Sequence, residues 1–308
     1  MKSDRIRKVL NRIDEGKRLI DQHRPLPASV LARLKQQLVL DWTYNSNAIE
    51  GNTLTLRETK LVLEDGLTVG GKSMREHLEA INHREAIAYV EELAREDELL
   101  LERHLKEIHA LVLREIDQQY AGRYRDIQVR ISGSNHLPPE PFLVGERMQA
   151  FARKWLTNTQ ITHPVVQAAL AHYELVAIHP FVDGNGRTAR LIMNLMLMRK
   201  GYAPAIILKN DRKKYYDALE KAHKGKTEDF IFLVARAVER TISLYFEAIP
   251  KLASGFLTMA QAAEITSYSQ GYLNVLARRG AIPAFKLRRN WLVAEDALQR
   301  YIEDHQKE

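Results

Sequence analysis

The chain has 308 residues, a formal net charge of +7 and no cysteine. That length accommodates two or three domains, and the lack of cysteine excludes disulfides and thiolate metal sites. Ordinary apolar content with mixed charge describes a soluble globular protein, and the positive balance permits a nucleic-acid partner without requiring one. No apolar run approaches the ~20 residues of a membrane span. The charged opening, Met1 to Lys8, leads into no apolar core, so no secretory leader is expected and the cytoplasm is the expected compartment.

Residues 1 to about 25 read as a charged helix with Ile6, Leu10, Ile13 and Ile20 on one face, broken at Arg24 to Pro27. A second helix follows Pro27, with Leu31, Leu34, Leu38 and Trp42 at helical spacing, and stops at Gly51 and Asn52. Near its end Ser46 and Glu50 are four residues apart and share a face. Glu50 sits at the negative end of the helix dipole, where a carboxylate needs a nearby cation unless solvent screens it.

A short helix and a glycine-rich loop are expected over residues 54–74, then helices over about 73–95 and 100–117. His83, His104 and His109 show no metal-ligand spacing. Gly122 to Ile131 is the best strand candidate, because Ile127, Val129 and Ile131 alternate with polar residues. A turn at Ser132 to Asn135 and an extended, proline-rich stretch from His136 to Pro141 follow.

Helices over Met148 to Leu156 and Pro164 to Ile178 lead to the most informative stretch, His179 to Arg190. Gly184 and Gly186 permit a sharp turn and close approach of a ligand. Their N–H groups and those opening the next helix form an anion-binding concavity. Arg187 and Arg190 share a helix face and offer two guanidinium forks, which suit a polyphosphate. Asp183 can hold a hard cation such as Mg²⁺ beside phosphate oxygens. His179 can be neutral near pH 7 and take a proton from an attacking hydroxyl. Singly, these residues fit a helix turn with a buried histidine and solvated arginines. Together they agree on phosphoryl or nucleotidyl transfer.

This stretch resembles the signature of the Fic family, His-x-Phe-x-(Asp/Glu)-Gly-Asn-Gly-Arg-x-x-Arg, at every position. The resemblance implies that His179 deprotonates a target Ser, Thr or Tyr hydroxyl, which attacks the α-phosphorus of ATP and receives AMP. It implies Mg²⁺ on Asp183, phosphates cradled by Gly184, Asn185 and Gly186, and distal phosphates on Arg187 and Arg190. Relatives that transfer phosphate carry Lys at the position of Gly186, which favours AMP transfer here. Ser46 to Gly51 resembles the inhibitory motif of family members with an N-terminal inhibitory helix, (Ser/Thr)-x-x-x-Glu-(Gly/Asn). In them the glutamate pairs with the second signature arginine, so Glu50 is expected to pair with Arg190 and hold the enzyme off. The strand candidate becomes the family's flap, in which Gln128, Val129, Arg130 and Ile131 would align a target segment by main-chain pairing.

After the signature, an apolar helix from Leu191 to Met198 reads as the buried centre of the domain. Asp211 to His223 reads as a helix carrying Tyr215 and Tyr216, which by resemblance lie near the adenine. Another helix runs from Phe230 to Ile249. The tail then changes texture. Thr258 and Gln261 form a capping-box pattern, Tyr272 to Arg279 a second helix closed by Gly280, and Ala281 to Trp291 a weakly alternating wing. A final helix is expected from about Glu295. Arg278, Arg279, Lys286, Arg288 and Arg289 are the candidate DNA contacts. The tail resembles excisionase-like and MerR-like DNA-binding modules, and a winged helix used for protein docking or dimerisation fits the same pattern.

The expected fold is mainly α: a Fic-type helical bundle with a small β-hairpin flap, and a C-terminal winged helix-turn-helix. The expected domains are residues 1–100 with an inhibitory helix at about 28–51, a catalytic core over 101–249, and 250–308. The expected function is self-inhibited AMP transfer from Mg-ATP to a target protein or to itself. The alternatives are a DNA-binding regulator with a nucleotide-sensing site, and an enzyme that removes AMP. Expected partners are a target protein, DNA through the tail and a second copy of the chain, with no membrane.

Overall fold

Local signals set several helix boundaries. Thr55 and Ser73 each close a capping box with the glutamate three residues on, Glu58 and Glu76, and so satisfy two otherwise free N–H groups at each helix start. Pro141 and Pro164 each occupy a first helical turn, where the missing N–H costs nothing. Gly280, at φ 65°, closes a helix in the left-handed region.

The computed structural model describes residues 2–157, 162–249, 252, 256–282, 284–287 and 290–305. Their helices are α1 (Lys2–Gln22), α2 (Ala28–Ile49), α3 (Leu56–Glu64), α4 (Met74–Leu93), α5 (Glu102–Leu113), α6 (Pro141–Phe151), α7 (Pro164–Ile178), α8 (Asn185–Arg199), α9 (Arg212–Ala222), α10 (Glu228–Ala248), α11 (Met259–Glu264), α12 (Gln270–Arg279) and α13 (Glu295–His305). The strands are β1 (Phe256–Thr258), β2 (Ala284–Leu287) and β3 (Asn290–Ala294). The chain divides into two compact units: Gln36–Val234, and a second that joins Met1–Lys35 to Ala235–Glu308.

In the first unit α7 and α8 pack against each other, α4 and α5 cover α8, and α6 covers α7. Helix α8 is buried on nearly every side, from Asn185 through Leu197, as its all-round apolar sequence anticipates. Helix α6 starts at Pro141, seven residues before the sequence places it, and its last turn widens into a π-helical segment, Ala152–Leu156.

The second unit holds the tail. Its sheet is antiparallel in the order β1-β3-β2, with Leu257 opposite Val293 and Lys286 opposite Trp291. Helices α11 and α12 pack on it through Met259, Ala262, Leu273, Leu276 and Ala277. This is the helix-turn-helix with wing read from the sequence, and the Thr258–Gln261 capping box forms. Strand β1 is an addition: three residues are too short to show an alternation. Helix α1 belongs to the same unit. A Cβ added at Gly16 would lie 2.6 Å from Ile242 Cγ2 and 3.0 Å from Phe285 Cε1, so this helix approaches its neighbours closely.

One expected element is absent. Gly122 to Ile131 forms no strand, and the described residues from 114 to 140 contain no sheet ladder. Only the turn forms, with Ser134 N–H donating to Ile131 O at 3.1 Å. The segment's carbonyls are met by a side chain instead. The buried Arg125 donates to Ile127 O at 3.1 Å and to Pro139 O at 2.5 Å, tying both arms of the loop to one guanidinium. Alternation alone does not make a strand when a cation supplies the hydrogen bonds a partner strand would.

Candidate active site

Helix α7 ends at His179, which adopts left-handed φ 49° and ψ 59°, unusual outside glycine. Pro180 cannot continue a helix and disfavours helical geometry in the residue before it. Phe181 then turns inward, fully buried, with its ring stacked 3.5 Å from that of His109 on α5. The Asn185 side chain closes the loop by accepting from Phe181 N at 3.0 Å and donating to Phe181 O at 2.9 Å. Gly184, at φ 76°, turns the chain into α8, and a Cβ there would press on His109 at 3.2 Å. Helix, loop and helix are thus locked by one aromatic anchor and one amide, which fixes His179 against the start of α8.

His179 Nδ1 lies 3.3 Å from Val176 O. A carbonyl only accepts, so Nδ1 carries the hydrogen and Nε2 keeps its lone pair. Burial pushes the imidazole down to about 4, with Arg125 adding to the shift and the Val176 bond, Glu50 and Asp183 opposing it. The ring is therefore a neutral base at pH 7. Arg125 Nε donates to His179 O at 2.8 Å and Arg125 N to Pro180 O at 2.9 Å, so the histidine's backbone is held from the loop side.

His179, Asp183, Gly184, Asn185, Gly186 and Arg187 line one cavity of about 290 Å³. Arg130, Ile131, Arg212, Tyr215, Tyr216 and Glu50 complete its wall. Burial alone would raise the Asp183 pKa; Arg187, the Gly184 N–H and Arg75 outweigh it and hold the carboxyl below its usual range. Asp183 Oδ1 accepts from Gly184 N at 2.6 Å, and Oδ2 from Arg75 Nη2 at 2.6 Å. Arg187, almost fully buried, lies 3.2 Å from Glu79 Oε1 through Nη1 and 3.6 Å from Asp183 Oδ1 through Nη2. Its Nε and Nη1 have no aligned hydrogen-bond acceptor among the described residues.

Arg190 is wholly enclosed. Its Nη2 lies 2.8 Å from Glu50 Oε1, Nε donates to Ser46 Oγ at 2.9 Å, and Nη2 also donates to Ser46 O at 2.8 Å. Burial opposes the charge of Arg190, but Glu50 overcomes it and raises the pKa. A Cβ at Gly186 would overlap Glu50 Oε1 and lie 3.0 Å from its Cδ, so only glycine lets the carboxylate come this close to α8 without shifting. Tyr215 OH lies 3.1 Å from His172 Nε2, and Arg212 sits 4.8 Å over the Tyr216 ring.

The structure therefore brings together the signature residues, Ser46, Glu50, Tyr215 and Tyr216. Arg130 and Ile131 reach the same cavity, whereas Gln128 points away, accepting from Arg125 Nη1 at 3.2 Å and donating to Pro138 O at 3.3 Å. Val129 is half-buried outside the cavity lining. In the second unit Arg278 and Arg279 are exposed in the last turn of α12. Lys286 lies in β2, and Arg288 and Arg289 lie outside the described residues. Sequence reasoning missed Arg75, Glu79, His109 and Arg125. Only the Arg75–Glu79 spacing on a predicted helix offered a signal.

Comparison with known proteins bears on this geometry. Residues 99–197 match the model of the Fic/DOC family. Fic-1 (aa134–508) from C. elegans superposes with a TM-score of 0.73 at 34% identity, covering 80% of this chain and 73% of that one. The chain belongs to the Fic/DOC family. A Fic domain containing signaling protein from Bacteroides thetaiotaomicron superposes with a TM-score of 0.70 at 26% identity, covering 79% of this chain and 96% of that one. The Nematostella vectensis protein adenylyltransferase Fic is 44% identical over 242 residues, 77% of this chain and 55% of the relative. The one from Culex quinquefasciatus is 39% identical over 257 residues, 82% and 51%. The chain thus spans about half the length of the curated relatives it matches. Residues 256–306 match a helix-turn-helix domain model, which agrees with the fold of the tail. The mainly helical fold expected of the family is observed, as is the helix-turn-helix domain at the C-terminal end of the sequence. No helix among the described residues is long and apolar enough to cross a membrane.

Proposed function

We propose that the chain is a self-inhibited adenylyltransferase that moves AMP from ATP to a hydroxyl of a target protein or of itself. The observation that carries the reading is the convergence of a neutral, oriented His179 and the buried Arg187 on one cavity, with Arg190 enclosed behind Glu50 on its wall. Similarity to proteins named adenylyltransferase supports it.

His179 Nε2 takes the proton of the attacking hydroxyl. The hydroxyl oxygen bonds to the α-phosphorus, the bond to the β-phosphoryl oxygen breaks, and pyrophosphate leaves with that electron pair. Arg187 and the N–H groups opening α8 stabilise the developing charge at phosphate oxygens, Arg187 being paired with Glu79 and Asp183 but with no aligned hydrogen bond from its Nε or Nη1 among the described residues. Asn185 acts indirectly, because its amide is committed to the loop backbone. Arg190 reaches the distal phosphate only once Glu50 leaves it.

Asp183 would hold Mg²⁺. One partly exposed carboxylate on the cavity wall suits a cation that takes one or two protein carboxylates and fills its shell with phosphate oxygens and water. When bound, the cation would neutralise phosphate charge and orient the pyrophosphate leaving group.

The test uses ATP labelled at either the α- or the γ-phosphate. The reading predicts protein-bound label from the α position alone, lost in His179→Ala. Label from the γ position would mean phosphoryl transfer instead.

A second function resides in the tail. The helix-turn-helix match and the exposed Arg278 and Arg279 at the end of α12 favour DNA as its partner.

A further inference from the structure

Four charged side chains close a ring beside the cavity. Arg75 and Glu79 stand one turn apart on α4, with Arg75 Nε 3.4 Å from Glu79 Oε1. Glu79 Oε1 is 3.2 Å from Arg187 Nη1, Arg187 Nη2 is 3.6 Å from Asp183 Oδ1, and Asp183 Oδ2 is 2.6 Å from Arg75 Nη2. Charges alternate around the ring and sum to zero. Two members belong to the signature; the other two come from a helix outside it. Glu79 is anchored from a further side, because its Oε2 accepts from Asn52 Nδ2 at 2.9 Å. Arg75 is not anchored in that way: its side chain is 56% exposed and its partners are the two carboxylates.

The Arg75 contact uses the Asp183 oxygen that faces away from the Gly184 N–H. A guanidinium hydrogen bond and a metal–carboxylate bond draw on the same lone pairs, and a cation of charge +2 beside a guanidinium also meets direct repulsion. We infer that Arg75 is a built-in competitor of the divalent cation: it neutralises Asp183 and must swing out to solvent before the carboxylate can bind metal. The inference rests on the nucleotide-site reading above and deepens it, assigning Arg75 a positioning role that sets how much divalent cation the enzyme needs. The exposed side chain has an open path outward. Glu79, held by Asn52, stays behind as a partner for Arg187.

The experiment titrates Mn²⁺, followed by its paramagnetic resonance signal, into the full chain carrying α,β-methylene-ATP, an analogue that cannot transfer AMP. Analogue affinity without metal is measured in parallel. Arg75→Gln is expected to lower the half-saturating Mn²⁺ concentration by about three- to tenfold, the scale of a partly exposed ion pair plus the removed repulsion. Metal-free analogue affinity should stay unchanged, and Asp183→Asn should abolish the Mn²⁺ curve. Equal half-saturation in wild type and Arg75→Gln would overturn the competition and leave the nucleotide site standing. Weaker metal-free binding in Arg75→Gln would overturn it too, by making Arg75 a phosphate ligand. A Mn²⁺ curve unmoved by Asp183→Asn would overturn the metal assignment together with the inference. Arg75 is exposed at the surface, so a melting temperature close to that of the wild type will confirm that the variant is folded.

Discussion

Glu50 Oε1 lies 2.8 Å from Arg190 Nη2, on a guanidinium that also donates to the side chain and backbone of Ser46. One helix end thus satisfies most of the hydrogen-bonding capacity of a buried cation. A triphosphate that recruits Arg190 must first displace a carboxylate whose bond to a charged donor contributes about 1.5–3 kcal/mol.

It follows that Glu50→Gly should bind a non-hydrolysable ATP analogue more tightly, by on the order of tenfold to a hundredfold. Calorimetric titration of both proteins measures the difference. The substitution also leaves Arg190 without its carboxylate, so the variant should melt at a lower temperature in plain buffer and recover in the presence of the analogue. Equal affinities would mean that the pair does not oppose the nucleotide.

The pH profile offers an independent check on His179. In the proposed reaction the working form of His179 is the neutral imidazole, and burial pushes its pKa down to about 4. Protonation, and with it loss of the base, therefore occurs as pH falls through that value, not through the ordinary 6.5. Transfer by the Glu50→Gly enzyme, expressed as kcat/KM, should stay level from pH 8 to about 5 and decline only below that. An acid limb centred near 6.5 would show that the histidine titrates as if exposed.

Arg125 bears on loop and histidine together. Its guanidinium meets the carbonyls of His179, Ile127 and Pro139 and the Gln128 side chain. Arg125→Met removes the donors while keeping much of the volume, and leaves those oxygens to find water. The expected cost is roughly 2–4 kcal/mol of stability, with transfer reduced on the order of tenfold or more through the misplaced base. Chemical denaturation and a transfer assay on the folded variant measure the two effects. A wild-type rate would show that the histidine backbone needs no support from this side.

For the tail, the expected behaviour is binding of duplex DNA that weakens steeply with salt. Each phosphate contact contributes about 0.9 to the slope of log affinity against log salt. Replacing Arg278 and Arg279 together with Ala should therefore lower that slope by about 2. An unchanged slope would remove both residues from the contact surface.

Most of the fold was legible because it is helical, amphipathic and punctuated. Prolines and capping boxes mark where α3, α4, α7 and α11 begin, and the glycine after α12 marks its end. The loop around Arg125 was not legible, because the alternation of Ile127, Val129 and Ile131 is also what an extended segment hung on a buried guanidinium shows. Within the site, the residues contiguous in sequence were found. Arg75 and Glu79 on α4 and His109 on α5 were not, because they reach the signature only through tertiary packing. Ser46 and Glu50 fall between these cases. Their spacing put them on one face, but a distant arginine explains why a carboxylate tolerates the end of that helix.

The most direct test incubates wild type, Glu50→Gly, and Glu50→Gly combined with His179→Ala with Mg²⁺ and α-labelled ATP, and reads label on protein. The account predicts weak labelling of the wild type, an increase on the order of tenfold or more in Glu50→Gly as the buried pair is removed, and none in the double variant. Self-modification suffices as the readout. Equal labelling of wild type and Glu50→Gly would contradict the brake, and labelling that survives loss of His179 would contradict the transferase.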